Sequence, residues 1–173
     1  PQARDALMNE PWLNLALGCL LQTSVTTVKG GEGAWDEVVT HTLQTHSNCR
    51  EVSVTIPPQA SLTSLVAHAV TSQGKRRVDP ERFVSTSPNV TGHQHVTIYV
   101  PELGPGDLLT LEVRRMWHTP GYQWQPAKLG SHPATLKAPR DAPWQISGVT
   151  GTPTGGRIHL PKPTLHDLVA LGA

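Results

Sequence analysis

Two runs of alternating apolar residues, joined by a short Gly/Pro segment, constrain the fold of this chain more than any other feature. Val96, Ile98 and Val100 alternate with Thr97 and Tyr99, and the same period of two returns over residues 109–114. This period is typical of half-buried β-strands. The intervening Gly104-Pro-Gly-Asp107 combines the fixed φ of proline with the free φ of glycine, which favours a turn. We therefore predict a β-hairpin over residues 96–117 at the centre of a sheet.

Composition favours short strands joined by many turns. The chain has 173 residues, of which 16 are Pro and 15 are Gly, and only 16% are charged. This length corresponds to a single domain with its own core. The formal net charge is +1, so the strongly basic character of a nucleic-acid-binding protein is missing. We interpret the basic run Lys75-Arg-Arg77 as a solvated turn.

The predicted fold is mainly β: an antiparallel β-sandwich with short flanking helices. Arg50–Ile56 reads as a strand that ends at Pro57, since proline cannot donate to a sheet. Apolar residues at helical spacing predict a helix over Pro11–Gln22, and a Thr164 cap predicts another that ends at Leu171. The predicted division is an N-terminal helical extension and linker (1–33), a β-sandwich domain (34–160) and a C-terminal helix (161–173).

Two segments allow a second interpretation. Residues 33–46 and 61–73 place apolar residues at both helical and strand spacing. Helices in these two segments would make the fold α+β. Strands would instead extend the sandwich, with Gln73-Gly74 closing a hairpin.

The cysteines and the apolar runs say little about location. Cys19 and Cys49 match no zinc-binding spacing, and a single disulfide between them is one possibility. No run of about 20 apolar residues predicts a membrane-spanning helix. Because the sequence begins at Pro1 without Met, we expect it to be a fragment of a longer polypeptide.

The middle of the chain resembles a known family. The order is a strand over Val38–Thr45, a strand that ends in Ile-Pro-Pro (Glu51–Pro58), a segment closing in Thr71–Lys75, and then Tyr99–Val113 with its Leu-x-Pro-Gly-Asp turn. Over residues 38–117 this order resembles the β-sandwich domain of unknown function that often precedes transglutaminase-like domains in bacterial envelope proteins. The resemblance implies a non-catalytic accessory module of an extracytoplasmic protein, with no catalytic residues.

One set of residues would support catalysis. Cys19 follows a Trp and an apolar run, somewhat as the nucleophile does in papain-like and viral cysteine peptidases, and His93 or His95 could act as its base. The helix interpretation instead places Cys19 on an apolar face, where cysteine behaves as a small hydrophobic residue. A cysteine peptidase is therefore an alternative, and not the favoured hypothesis.

The nine histidines do not predict a metal site. His41 and His46 have the wrong spacing for a pair on one strand face, whereas His93 and His95 share a face. Two imidazoles need a third ligand, and no nearby Cys or carboxylate supplies it. We expect no metal and no cofactor.

The densest aromatic group of the sequence predicts a binding site. Trp117, His118, Tyr122 and Trp124 follow the long predicted strand, and Arg115 lies on the same element. Exposed aromatic side chains on a loop offer rigid contact area to a protein or a carbohydrate. If instead Trp124 belongs to the core, its replacement by alanine should cost about 3–5 kcal/mol of stability.

From these observations we hypothesise a non-enzymatic binding or structural module of a larger bacterial protein. Its expected partner is a protein or a carbohydrate, its expected location is extracytoplasmic, and no oligomeric state is predicted. A viral coat or spike domain is an alternative, because such domains share a β-rich composition with much Thr, Pro and Gln.

Overall fold

One long strand carries a strict alternation of buried and outward-facing residues. Over Ala34–Thr45 (β3) every second residue from Trp35 to Thr45 is buried. Because side chains alternate across a strand, all of these buried residues lie on one face of the sheet. That face holds Glu37 and His41 as well as apolar side chains.

The structure is a computed structural model that describes residues 12–15, 19–31, 33–46, 49–101, 103–129, 132–140, 144–147 and 155–172. Among these residues, no helix is long and apolar enough to cross a membrane. The other strands are Leu13–Leu15 (β1), Cys19–Gly31 (β2), Glu51–Ile56 (β4), Ala60–Thr71 (β5), Gly74–Arg77 (β6), Phe83–Ser85 (β7), Gln94–Tyr99 (β8), Leu108–Trp117 (β9), Gly121–Trp124 (β10), Ala134–Lys137 (β11), Trp144–Ser147 (β12), Arg157–Leu160 (β13) and Leu168–Gly172 (β14).

The strands form one large sheet and two small ones. The large sheet has seven strands in the order β13-β11-β2-β3-β9-β5-β6, the second has four (β1-β4-β8-β7), and the third has three (β10-β14-β12). The long strands β2, β3, β9 and β5 pair antiparallel along most of their length. Only β11 and β2 run parallel among the described pairs.

Both small sheets pack on the same face of the large sheet. Near one end of β3, Leu43 belongs to a core shared with the four-stranded sheet. Near the other end, Trp35 belongs to a core shared with the three-stranded sheet, whose Tyr122 and Trp124 point into it. Since Trp35 and Leu43 share one face of β3, the polar residues between them lie where the two cores meet.

The mainly β fold with antiparallel sheets is confirmed, but the predicted central hairpin is wrong. Val96 and Ile98 lie on β8 in the four-stranded sheet, whereas β9 lies in the seven-stranded sheet. The Gly104–Asp107 turn therefore carries the chain from one sheet to the other. The Asp107 carboxylate accepts from the Gly104 N–H at 2.8 Å, and the Thr45 hydroxyl donates to the Gly104 carbonyl at 2.6 Å.

The predicted flanking helices are also wrong. Within Pro11–Gln22 the described residues form β1 and the start of β2, and in place of a helix ending at Leu171 the strand β14 lies between β10 and β12. Their apolar residues satisfy helical spacing, but pairing with neighbouring strands overrides this local preference. Strand β2 therefore pairs with β3, and β14 pairs with β10 and β12.

The two ambiguous segments are strands, so the α+β alternative is wrong. Residues 34–45 form β3, and residues 60–71 form β5. Strands β5 and β6 make the hairpin that Gln73-Gly74 suggested, with Thr71 opposite Gly74. The β-branched content of both segments agrees with this outcome, because such side chains suit a pleated surface.

A disulfide joins the large sheet to the four-stranded sheet. Cys19 begins β2, Cys49 lies two residues before β4, and their Cα atoms are 4.8 Å apart. The bond closes a sequence separation of 30 residues. Cross-linking a chain over such a distance removes conformational freedom from the unfolded state.

We expect the double variant Cys19→Ser/Cys49→Ser to lose about 3–4 kcal/mol of stability, which is the loop-closure contribution for a loop of this length. Urea unfolding of the oxidised protein, the reduced protein and the variant measures it. Reduction should produce the same loss as the substitutions. Equal stability of all three forms would show that the bond does not constrain the unfolded chain.

Candidate binding cleft

A buried ion pair crosses from β3 to β9 at the meeting point of the two cores. Glu37 and Arg115 are directly opposite in the strand register and are 0% and 1% exposed. The Arg115 Nε and Nη2 atoms donate to Glu37 Oε1 at 2.7 and 2.6 Å. Two short charge-assisted hydrogen bonds of this kind are the strong form of the interaction.

The same pair connects to both small sheets. Arg115 Nη1 donates to the Thr55 carbonyl of β4 at 3.1 Å, so it reaches the four-stranded sheet. The Tyr122 hydroxyl of β10 donates to Glu37 Oε2, so the carboxylate reaches the three-stranded sheet. Burial first, and then the Glu37 charge, raise the pKa of Tyr122 well above its ordinary value of 10.0, which keeps this donor protonated.

Two tryptophans cover the guanidinium of Arg115. Its Cζ atom lies 4.8 Å from the Trp12 ring centroid and 5.6 Å from that of Trp117. The ring centroids of the two indoles are 5.4 Å apart, and the Trp117 and Tyr122 rings meet in a T-shaped arrangement with their centroids 6.1 Å apart. A cation held against aromatic faces away from water is stabilised by their quadrupoles.

His41 is the other buried polar group on this face of β3. Its Nδ1 atom lies 2.7 Å from the Ser24 hydroxyl of β2. Burial, with a smaller contribution from the Arg115 charge, lowers the pKa of His41 from 6.5 to about 3. The imidazole is therefore neutral at physiological pH, because burial and the Arg115 charge both disfavour its protonated form.

A cleft of about 760 Å³ opens beside this cluster, where the three sheets meet. Trp12, Trp117 and Tyr122 contribute its aromatic wall, and amide and hydroxyl side chains supply much of the remainder. Among the described lining residues none is acidic. The lining comprises Trp12, Pro57, Gln59, Thr91, His93, Trp117, Thr119, Pro120, Gly121, Tyr122, Gln123, Gln125, Lys128, Ala170, Leu171 and Gly172.

The predicted exposure of the aromatic loop is wrong for its two main residues. Tyr122 and Trp124 are 1% and 0% exposed, and they belong to the core beneath the three-stranded sheet. The segment is a strand, β10, and its alternation sends both side chains inward while Gln123 faces out. Both residues hold the sheets together, and Tyr122 also contributes to the wall of the cleft.

The other predicted binding residues have different positions. Trp117 is partly buried and lines the cleft. His118 is exposed, and its Nε2 atom lies 2.9 Å from the Ser61 hydroxyl. Arg115, which the sequence placed with this predicted binding site, is buried in the ion pair with Glu37, although it does contact the Trp117 ring.

The alternative catalytic residues are not assembled as a nucleophile and base. Cys19 is bonded to Cys49, so in this state it carries no thiol that a base could deprotonate. His93 lines the cleft just before β8, and His95 lies on β8. Among the described residues, no group of three His, Cys, Asp or Glu side chains could hold a metal ion.

The sequence prediction missed Glu37, His41 and Trp12. A signal for the first two existed, because residues 37 and 41 are in phase with Trp35, Val39 and Leu43 on the buried face. Arg115 is likewise in phase with Leu111 and Val113. A charged residue at a buried position of one strand requires an opposite charge nearby, and two strands that share this feature are candidates for pairing.

In sequence, no family model matches this chain, and no curated protein matches it. Two of the solved structures that share its fold are each 12% identical to it in sequence. The first, a "putative protease" from Parabacteroides distasonis, has a TM-score of 0.61, and the match covers 91% of this chain and 41% of that protein. The second, native yeast LTA4 hydrolase, has a TM-score of 0.57, with 94% of this chain and 30% of that protein covered.

We expect Glu37→Leu and Arg115→Met each to cost about 3–5 kcal/mol, because either change leaves a buried charge alone. In a Tyr122→Phe background, which removes the hydroxyl that bonds to Glu37, the double variant Glu37→Leu/Arg115→Met should cost much less than the sum of the two single variants. A thermodynamic cycle from urea unfolding measures the coupling. Additive losses would mean that the two side chains act independently.

We expect His41 to weaken the fold in acid. Its pKa is lowered on folding, so the unfolded chain binds a proton between pH 6.5 and about 3 that the folded chain does not. The contribution of His41 is therefore fully present above pH 6.5 and decreases below it, by at most about 1.4 kcal/mol per pH unit. Urea unfolding at pH 4–7 should give a flatter dependence for His41→Gln than for the natural chain. Parallel profiles would contradict the assignment.

Proposed function

We propose that this chain is a non-enzymatic binding module that works outside the cytoplasm as part of a larger bacterial protein. The observation that carries the proposal is the Cys19–Cys49 disulfide. Disulfides form and persist in oxidising compartments and are rare in the cytosol. The same bond occupies Cys19, the one side chain that suggested nucleophilic catalysis.

The charged groups beside the cleft support a binding role rather than a catalytic one. Both oxygens of Glu37 are hydrogen-bonded, one to Arg115 and the other to Tyr122. Arg115 in turn is bonded to Thr55 and covered by two indole rings. Because the hydrogen bonds of Glu37 and Arg115 join the three sheets, these side chains are poorly placed to exchange protons with a substrate. The same bonds make the walls of the cleft rigid.

The resemblance to the domain that precedes transglutaminase-like domains agrees with this proposal. It covers residues 38–117 and implies an accessory module with no catalytic residues. The Parabacteroides distasonis protein and the yeast LTA4 hydrolase are longer proteins, in which the matching portion is 41% and 30% of the chain. If this chain is likewise one part of a longer protein, the module lies beside a second domain. Its partner would then be a protein or a carbohydrate that reaches the cleft.

The proposal predicts that the chain, secreted into a bacterial periplasm, carries no reactive thiol and hydrolyses no peptide bonds. Iodoacetamide labelling before and after reduction, and release of fluorescent peptides from labelled casein, measure both properties. The control is Cys49→Ser, which frees Cys19 without altering it, and it should also be inactive on casein. Casein hydrolysis that is lost on alkylation of Cys19 would show a cysteine peptidase and refute the proposal.

A further inference from the structure

Three uncharged polar side chains of the cleft are available to a ligand. Gln59, Gln123 and Gln125 line it; Gln123 is exposed and the other two are half-buried. Within the described part of the chain, none of these three side-chain amides forms a hydrogen bond with the protein. An amide carries two N–H donors and a carbonyl acceptor in one group, so it suits a ligand that both donates and accepts.

The other polar groups of the lining take part in interactions within the protein. The Thr119 hydroxyl donates to a backbone carbonyl of β10 at 2.6 Å, and the Thr91 hydroxyl lies 2.8 Å from His93 Nδ1. The Lys128 ammonium lies 5.2 Å from the Trp12 ring centroid. His93 and Lys128 make further interactions besides these, and no described lining residue carries a carboxylate. The groups left for a ligand are therefore mainly neutral.

A fixed aromatic ring forms part of the wall. Trp117 lines the cleft and is half-buried, whereas Trp12 and Tyr122 are buried. Contacts with those two rings and with Arg115 hold Trp117 in position. A ring that keeps exposed surface in a fixed position can pack against C–H groups of a ligand at a small cost in entropy.

The two strands at the cleft are paired with each other. Residues 121–123 of β10 line it together with their partners on β14, residues 170–172. A polypeptide that adds to a sheet needs an unpaired strand edge, whereas this lining includes both members of a pair. The lining therefore does not favour a peptide held through its main chain.

These features fit an uncharged ligand with many hydroxyl groups. A hydroxyl donates and accepts, as an amide does, so two neighbouring hydroxyls of a sugar ring can bond one amide at two points. A sugar ring also has an apolar side of C–H groups that packs on an aromatic ring. The cleft volume of about 760 Å³ lies within the range of about 300–1,000 Å³ for small-molecule sites.

We infer that the cleft binds a short, uncharged oligosaccharide. Its hydroxyl groups bond to the amides of Gln59, Gln123 and Gln125, and one sugar ring packs against Trp117. The inference rests on the proposed binding function and selects the carbohydrate from the two partner classes named there.

The probes are three uncharged trisaccharides: maltotriose, cellotriose and triacetylchitotriose. Each is titrated to about 10 mM against isotope-labelled protein, so that a Kd of about 1 mM can be measured by NMR. At least one should shift the side-chain amide signals of the three cleft glutamines and the indole signal of Trp117. Because no charge pair is involved, the Kd should change by less than about twofold between about 0.05 and 0.5 M salt.

Variants test the role of the amides. Gln123→Ala and Gln125→Ala should each weaken the tightest trisaccharide about threefold to tenfold, as expected for one lost hydrogen bond. Gln73→Ala is the matched control and should leave the Kd unchanged, since Gln73 is exposed between β5 and β6 and does not line the cleft. Lys128→Gln should change the Kd by less than about twofold, because an uncharged ligand does not need the ammonium. Melting temperatures verify that each variant is folded, and the wild-type titrations stand without them.

The outcomes are distinct. No shift in the cleft with any of the three trisaccharides, an equal effect of Gln73→Ala and the cleft variants, or a Kd that rises steeply with salt would overturn the saccharide site. Binding of the blocked peptide Thr-Val-Thr-Val-Thr in the cleft, without binding of sugar, would overturn it too. All of these results leave the proposed non-enzymatic class intact. Cleavage of a trisaccharide, detected by mass spectrometry in the same samples, would overturn that class instead. Shifts in the cleft that are weakened by the cleft variants and insensitive to salt support the site.

Discussion

The Glu37–Arg115 pair is the interaction on which the arrangement of this protein depends. It lies on the buried face of the large sheet, and its hydrogen bonds reach Thr55 in one small sheet and Tyr122 in the other. Burying two charges is unfavourable unless every donor and acceptor is matched, so the pair tolerates few relative positions of the three sheets. Apolar contacts are less directional, and they would permit neighbouring registers.

The cleft follows from this arrangement. Two small sheets cover one face of a large sheet, and the described strands of the two small sheets do not pair with each other. Trp12 and Trp117 fill part of the space between them and shield Arg115 from water. The space that they leave open is the cleft, and its lining includes β10 and residues with amide side chains. The disulfide fastens the large sheet to the four-stranded sheet.

The strands were predictable where the alternation of side chains was clear. The strand before Pro57 begins within one residue of its predicted start, because a half-buried strand imposes a period of two on its own sequence. Pro11–Gln22 was mistaken for a helix because its apolar residues fit both periods. The bulge of β2 between Leu21 and Thr23 interrupts its alternation as well. Only pairing with β3 and β4 decides between the two structures for such a segment.

The sequence by itself therefore determined the class of fold, since β-branched alternation and frequent Pro and Gly are local properties. It also placed polar residues at 37, 41 and 115 in phase with buried positions. Tertiary structure alone decided that β8 and β9 belong to different sheets. The Gly104–Asp107 turn forms its own internal hydrogen bond, and this bond does not determine whether the strand after the turn pairs with the strand before it. Tertiary structure likewise decided that Tyr122 and Trp124 are core rather than surface, and that Cys19 meets Cys49. These outcomes depend on contacts between residues that are distant in the sequence, and no local pattern encodes them.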